Sequence, residues 1–153
     1  SFVRGETPET IENINLNNFL KNICTTNRSD KHEITDSYKK NVKTSGRPLQ
    51  IKRALQNIID NSKRYSTKIY LNLIKDNDQC FIEISDNGPG IPEKNFEDVF
   101  KPFFTLDPSR NKLKGESGLG MTIARDIIRS HGGDIKLYKS NKGGLKTIIN
   151  LPL

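Results

Sequence analysis

Two spacings of apolar residues alternate along this chain, and the places where one gives way to the other mark its elements. In "INLNNFLKNIC", Leu16, Phe19, Leu20 and Ile23 recur at helical intervals and share one face. Segments near 31–36 and 39–44 read as short strands around a turn. Residues 48–64, "PLQIKRALQNIIDNSKR", carry Ile51, Ala54, Leu55, Ile58 and Ile59 on a single helical face, with Pro48 near the start. "TKIYLNLI" and "CFIEIS" alternate as strands and are joined through the polar "KDNDQ". "EKNFEDVF" predicts a short helix. Residues 105–117 are polar, lack a period and hold Pro108 and Gly115, which predicts a mobile loop. "LGMTIARDIIRSH" returns to the helical period, with Leu119, Ile123, Ala124, Ile127 and Ile128 toward the core and Gly132-Gly133 as the stop. His131, just before those glycines, reads as a residue favourable to the helix dipole. "DIKLYKS" and "LKTIINLPL" close the chain as a hairpin around "NKGG". The order of elements is α+β, an antiparallel or mixed sheet with helices on one face.

Composition narrows this picture without naming a function. At 153 residues the chain fits one domain with a substantial core. It carries 25 Lys+Arg against 18 Asp+Glu, a net charge of +7, which favours an anionic partner. The basic residues are spread out, as on a solvated surface. Cys24 and Cys80 have no metal-like spacing and do not suggest a disulfide framework, which points to a reducing compartment. No apolar run approaches the ~20 residues of a membrane span.

Three places gather polar residues where a core pattern ends. Asn57 and Asn61 stand four apart at the rim of the apolar stripe, although Asn is a poor helix former. They are either two solvated positions or two amide oxygens for a hard cation that bridges phosphates. Gly118-Leu119-Gly120 opens a helix, and glycines there let phosphate approach free backbone N–H groups. "SDNGPGIP" sets Asp86 at the end of a buried strand. A carboxylate there is costly unless something donates hydrogen bonds to it, so either the loop caps itself or a ligand supplies the donor.

Together and in this order, "QNIIDNSKRYS", "DNGPGIP", "FKPFF" and "SGLGM" resemble the N box, first glycine box, F box and second glycine box of the ATP-binding domain of bacterial sensor histidine kinases. That domain belongs to the wider superfamily of gyrase, Hsp90 and MutL. "PLQIKRALQNII" and "KGGLKTIINLPL" look closest to the osmosensing EnvZ-type kinases. The resemblance implies a two-layer α/β sandwich whose mixed, mostly antiparallel sheet is covered on one face by helices, with residues 105–117 as a mobile ATP lid. Residues 11–153 would form the catalytic domain, and residues 1–10 are a candidate tail of an upstream dimerisation hairpin.

The resemblance also assigns the site. Asp86 would accept a hydrogen bond from the adenine amino group, and Gly88, Gly90 and Ile91 would lie near the base. Asn61 would be the Mg²⁺ ligand, Asn57 would lie beside the phosphates, Arg64 would touch phosphate and Tyr65 would pack near the nucleotide. Asn57, Asn61 and Arg64 would be the catalytic set. Phe104, Arg110, Ser117, Gly118, Leu119, Gly120 and Met121 would complete the nucleotide site. The cofactors would be ATP and Mg²⁺. The partners would be the parent's own dimerisation domain, which carries the acceptor histidine, and a response regulator, with no nucleic acid directly. The domain would be cytoplasmic, in a parent anchored in the bacterial inner membrane.

Two residues depart from the family pattern. Thr105 stands where Arg often follows the F-box aromatics, with Arg110 as a substitute charge, and Glu116 precedes the second glycine box where Gly is usual. They leave open a degenerate, non-catalytic ATP sensor. ATP-hydrolysing members carry a Glu general base at the position of Asn57, as do the related anti-sigma-type kinases. Asn57 cannot take a proton at neutral pH, which favours transfer over hydrolysis. His32 resembles the start of a phosphoacceptor motif but sits in a strand-like segment.

Overall fold

The computed structural model describes residues 8–39, 41–106 and 118–153. The chain runs β1 (Glu12–Asn15), α1 (Leu16–Asn27), β2 (Glu33–Tyr38), β3 (Lys43–Gly46), α2 (Pro48–Lys63), β4 (Lys68–Asp76), β5 (Gln79–Asp86), two 3-10 turns (Glu93–Asn95 and Asp98–Phe100), α3 (Gly120–Ser130), β6 (Asp134–Lys139) and β7 (Leu145–Pro152). Five strands form one sheet in the order β2-β4-β5-β7-β6, and β1 with β3 forms a second, two-stranded sheet. Only β2 and β4 pair in parallel within the large sheet. This is the two-layer, mostly antiparallel α+β arrangement expected from the periodicity.

The helices form because their apolar stripes need a sheet to cover them. Ile51, Ala54, Leu55, Ile58 and Ile59 of α2 are buried, as are Met121, Ala124, Ile127 and Ile128 of α3. Opposite them lie Ile69, Leu71 and Leu73 of β4, Ile82 and Ile84 of β5, and Ile149 and Leu151 of β7. Cys24 and Cys80 are fully buried in the same core. Burial pushes the Cys24 thiol up, and Cys80 up to about 11, so both behave as small apolar groups. Among the described residues, no helix is long and apolar enough to cross a membrane.

Several local expectations are corrected. The two strands near 31–44 do not pair with each other. β2 joins the edge of the large sheet, and β3 pairs antiparallel with β1, a strand the helical stripe concealed. The stripe begins only at Leu16 because the Asn15 side chain accepts from the Asn18 N–H at 3.1 Å, capping the helix and leaving the chain before it extended. The short helix over 93–100 resolves into two separate 3-10 turns. "KDNDQ" tightens to a turn at Asn77-Asp78, with Asn77 in the left-handed region at φ 55°.

His131 stands at the C-terminal end of α3, as expected, and makes two further contacts there. Its Nε2 accepts from the Arg47 N–H at 3.0 Å and its Nδ1 donates to the Ile127 carbonyl at 2.8 Å. The ring thus ties the end of α3 to the start of α2. His32 bonds the Lys63 carbonyl at 2.9 Å, closing the C-terminal end of α2.

Candidate functional site

β5 is the central strand of the large sheet, and its last residue is Asp86. The carboxylate is buried, 5% exposed. Two backbone donors converge on its Oδ1, the N–H of Gly88 at 3.0 Å and that of Leu145 at 3.2 Å. The loop thus caps the carboxylate only in part, since one donor comes from the distant β7. No described residue hydrogen-bonds to Oδ2.

The C-terminal half of α2 carries Asn57, Asn61 and Ser62 along one cleft, and Arg64 and Tyr65 follow just beyond the helix end. Asn57 Nδ2 donates to the Gly120 carbonyl at 3.2 Å, which draws the first turn of α3 up to α2. That turn has only Leu119 as its N-cap, and Leu offers no side-chain acceptor. The first turn of α3, with the positive end of the helix dipole, lines the cleft through Gly120 and Met121. The F-box segment is strapped to the same helix. The Phe103 N–H donates to the Gly118 carbonyl at 2.7 Å, and the Thr122 hydroxyl to the Phe100 carbonyl at 2.7 Å. Gly118 has φ +77°, and a Cβ there would sit 2.7 Å from Phe103 Cα, so both conformation and space demand glycine.

The cleft has a volume of about 210 Å³. Asn57, Asn61, Arg64, Tyr65, Asp86, Gly90, Ile91, Phe104, Gly118, Gly120 and Met121 all line it. Gly88 and Leu119 do not. Gly88 instead holds Asp86 and packs against the Tyr65 backbone, where a Cβ would approach the carbonyl oxygen to 2.8 Å. Arg110, Ser117 and Glu116, with most of the expected lid, lie outside the described residues. Sequence reasoning did not assign Ser62, Pro89, Val99, Thr105, Leu106 and Leu145 to the site, yet they also line it. Pro89 sits inside the glycine loop and was within reach of the motif. Leu145 gave no signal, being 59 residues from Asp86 in sequence.

No cluster of three or more His, Cys, Asp or Glu suited to a metal exists among the described residues. The donor set facing the cleft is instead a carboxamide pair. The Asn61 amide makes no side-chain hydrogen bond with the described residues, so a neutral oxygen is available there. One such ligand fits a hard, largely hydrated cation that takes its remaining oxygens from water and phosphate.

Comparison with known proteins decides the family. The profile of the histidine kinase-, DNA gyrase B- and HSP90-like ATPases matches residues 46–153. The chain belongs to this ATPase family. The sensor histidine kinase GtrS of Pseudomonas aeruginosa is 33% identical over 146 residues, covering 94% of this chain and 29% of that protein. The sensor histidine kinase CpxA of Escherichia coli is 39% identical over 109 residues, 71% of this chain and 24% of its own length. The chain therefore spans less than a third of these curated relatives. Among solved structures, the catalytic domain of histidine kinase ThkA superposes with a TM-score of 0.81 at 23% identity, covering 94% of this chain and 95% of that one. The mycobacterial sensor histidine kinase MprB gives 0.76 at 23% identity, covering 94% and 97%. Both likenesses speak for the fold. In this chain the cleft that holds Asp86, Asn57 and Asn61 lies between the end of β5 and α2.

Proposed function

We propose that this domain binds Mg-ATP in the cleft and delivers its γ-phosphoryl group to a histidine on a separate dimerisation domain of the same parent protein. A response regulator then takes the phosphoryl group. The observation that carries the reading is the polarity of this cleft. It has a buried carboxylate at one end, and a carboxamide pair with a helix N-terminus at the other.

Each end suits one part of the nucleotide. Asp86 is an acceptor whose Oδ1 is already held by two N–H groups, so it reads the adenine amino group as a donor, whereas guanine would present an acceptor. Gly90, Ile91 and Met121 offer apolar contact to the base. Gly118 and Gly120 let phosphates approach the N-terminus of α3. Asn61 is the proposed ligand of Mg²⁺, which when bound supplies charge neutralisation at the phosphates. Asn57 holds α3 in place through Gly120 and fills the position where hydrolysing relatives carry a base. An amide cannot accept a proton from water, so the site favours positioning a phosphoryl group for an incoming nucleophile. Arg64 lines the same cleft and is assigned to phosphate.

The parent is proposed to be a membrane-anchored sensor kinase of the EnvZ type, with this domain on the cytoplasmic side. Thr105, which lines the cleft where relatives often have Arg, favours one alternative, a domain that binds nucleotide without transferring phosphate. Titration calorimetry with ATP, with and without Mg²⁺, tests the binding step. Affinity should rise with Mg²⁺ in the wild type, and that rise should vanish in Asn61→Ala. Equal affinity with and without Mg²⁺ in the wild type contradicts the metal assignment.

A further inference from the structure

Gly143 and Gly144 look like an ordinary pair of turn glycines between β6 and β7, but the structure separates their roles. Gly143 has φ +104° and open space where a Cβ would sit, so the turn itself accounts for it. Gly144 is not in the left-handed region, so the turn does not call for glycine there. Its packing does. A Cβ on Gly144 would fall on Oδ1 of Asp86, 2.6 Å from the Asp86 carbonyl oxygen and 2.7 Å from the Gly88 nitrogen.

The same backbone is bonded to the site. The Gly144 N–H donates to the Asp86 carbonyl at 3.1 Å, and the next N–H, of Leu145, donates to Asp86 Oδ1 at 3.2 Å. On its other side the Gly144 carbonyl lies 3.4 Å from where a Cβ of Gly90 would be. The turn is braced from behind, since the Ser140 N–H donates to the Gly144 carbonyl at 2.9 Å and Ser140 Oγ accepts from the Lys142 N–H at 3.0 Å. Gly144 thus sits as a bare strip of backbone between the two glycines of the Asp86 loop.

We propose that Gly144 is a positioning residue that sets the Asp86 carboxylate and, through it, the choice of adenine over guanine. The inference rests on the reading of this cleft as an adenine nucleotide site. With Gly88 and Leu145 both donating to Oδ1, the carboxylate has one rotational setting, and Oδ2 is the atom left for the ligand. A side chain at 144 must displace either the carboxylate or the turn, and both break that setting. The β6–β7 turn is then half of the base-reading device, though it lies almost 60 residues beyond Asp86.

The test measures ATP and GTP affinities by calorimetry, with melting curves, for wild type, Gly144→Ala, Asp86→Ala and the double variant. Wild type should prefer ATP. Failure of the wild type to bind ATP would overturn the nucleotide reading itself and is visible before any variant is compared. Gly144→Ala should lose about tenfold or more in ATP affinity and lose its preference over GTP. In the Asp86→Ala background the same change should leave the ATP to GTP ratio within about twofold, because the two residues act as one unit. A folded Gly144→Ala with wild-type affinities, equal losses for both nucleotides, or an additive loss of selectivity in the double variant each overturns the proposal. If Gly144→Ala does not fold, amide NMR on the wild type decides. The Gly144 and Leu145 N–H resonances should shift with ATP in the wild type and far less in Asp86→Ala, and resonances that shift equally in both overturn the proposal.

Discussion

Asn57 reaches from the middle of α2 to the carbonyl of Gly120, 3.2 Å away, and this bond joins the two helices that enclose the cleft. Because the amide nitrogen is the donor, the residue must be an amide and not a carboxylate. Asn57→Asp would place a negative charge against a carbonyl oxygen and beside the proposed phosphates. It should lower ATP affinity more than Asn57→Ala does, and each should lower stability by about 1 kcal/mol through the lost bond. Calorimetric titration with thermal melts checks both, and an Asp variant that binds ATP as well as wild type contradicts the placement.

Asp86→Asn is the milder probe of the base end. The amide oxygen can keep both N–H bonds from Gly88 and Leu145, so the fold should survive. Its NH₂ would then face the adenine amino group, donor against donor. The expected cost is about 1–3 kcal/mol, roughly one to two decades in affinity, with unchanged circular dichroism. Unchanged affinity would remove Asp86 from the base.

Gly118→Ala should destabilise the domain. Its φ of +77° disfavours any side chain, and the new Cβ would press on Phe103 Cα. Left-handed strain alone costs about 1–2 kcal/mol. The strap between the F-box segment and α3 should loosen as well, so ATP affinity should fall along with the melting temperature. A variant that melts and binds as wild type would show that the strap is immaterial.

His131→Ala separates stability from binding. It removes the acceptor for the Arg47 N–H at the start of α2, while His131 takes no part in lining the cleft. A stability loss of about 1–2 kcal/mol with unaltered ATP affinity is expected, read from chemical denaturation and calorimetry.

The helices were legible because α2 and α3 each carry an unbroken apolar stripe, and β4 to β7 were legible because they alternate cleanly. What stayed hidden was pairing. Nothing in residues 31–44 states that β2 will lie parallel to β4, since that choice is made by the sheet edge left open and not by local sequence. The helical stripe beginning near Ile14 likewise masked β1, and only the Asn15 cap separates them. At the cleft, Asn57, Asn61 and Asp86 stood out because polar types sat where core was due, whereas Ile91, Phe104 and Met121 were reached only through the family resemblance. Leu145 and Gly144 were missed because an apolar strand residue and a turn glycine look ordinary, and their role lies in backbone N–H groups that no side-chain pattern encodes. The tie from His131 to α2 was hidden for a related reason, because the partner of its Nε2 is 84 residues away.

The most direct measurement is phosphoryl transfer from radiolabelled ATP, comparing this chain alone, the parent's dimerisation hairpin alone, and the two mixed. The account predicts an acid-labile, base-stable label on the hairpin only in the mixture, no label on this chain through His32 or His131, very slow phosphate release by the chain alone, and loss of all transfer in Asn61→Ala. Brisk phosphate release by the chain alone, or tight ATP binding with no label on a folded hairpin, would contradict it.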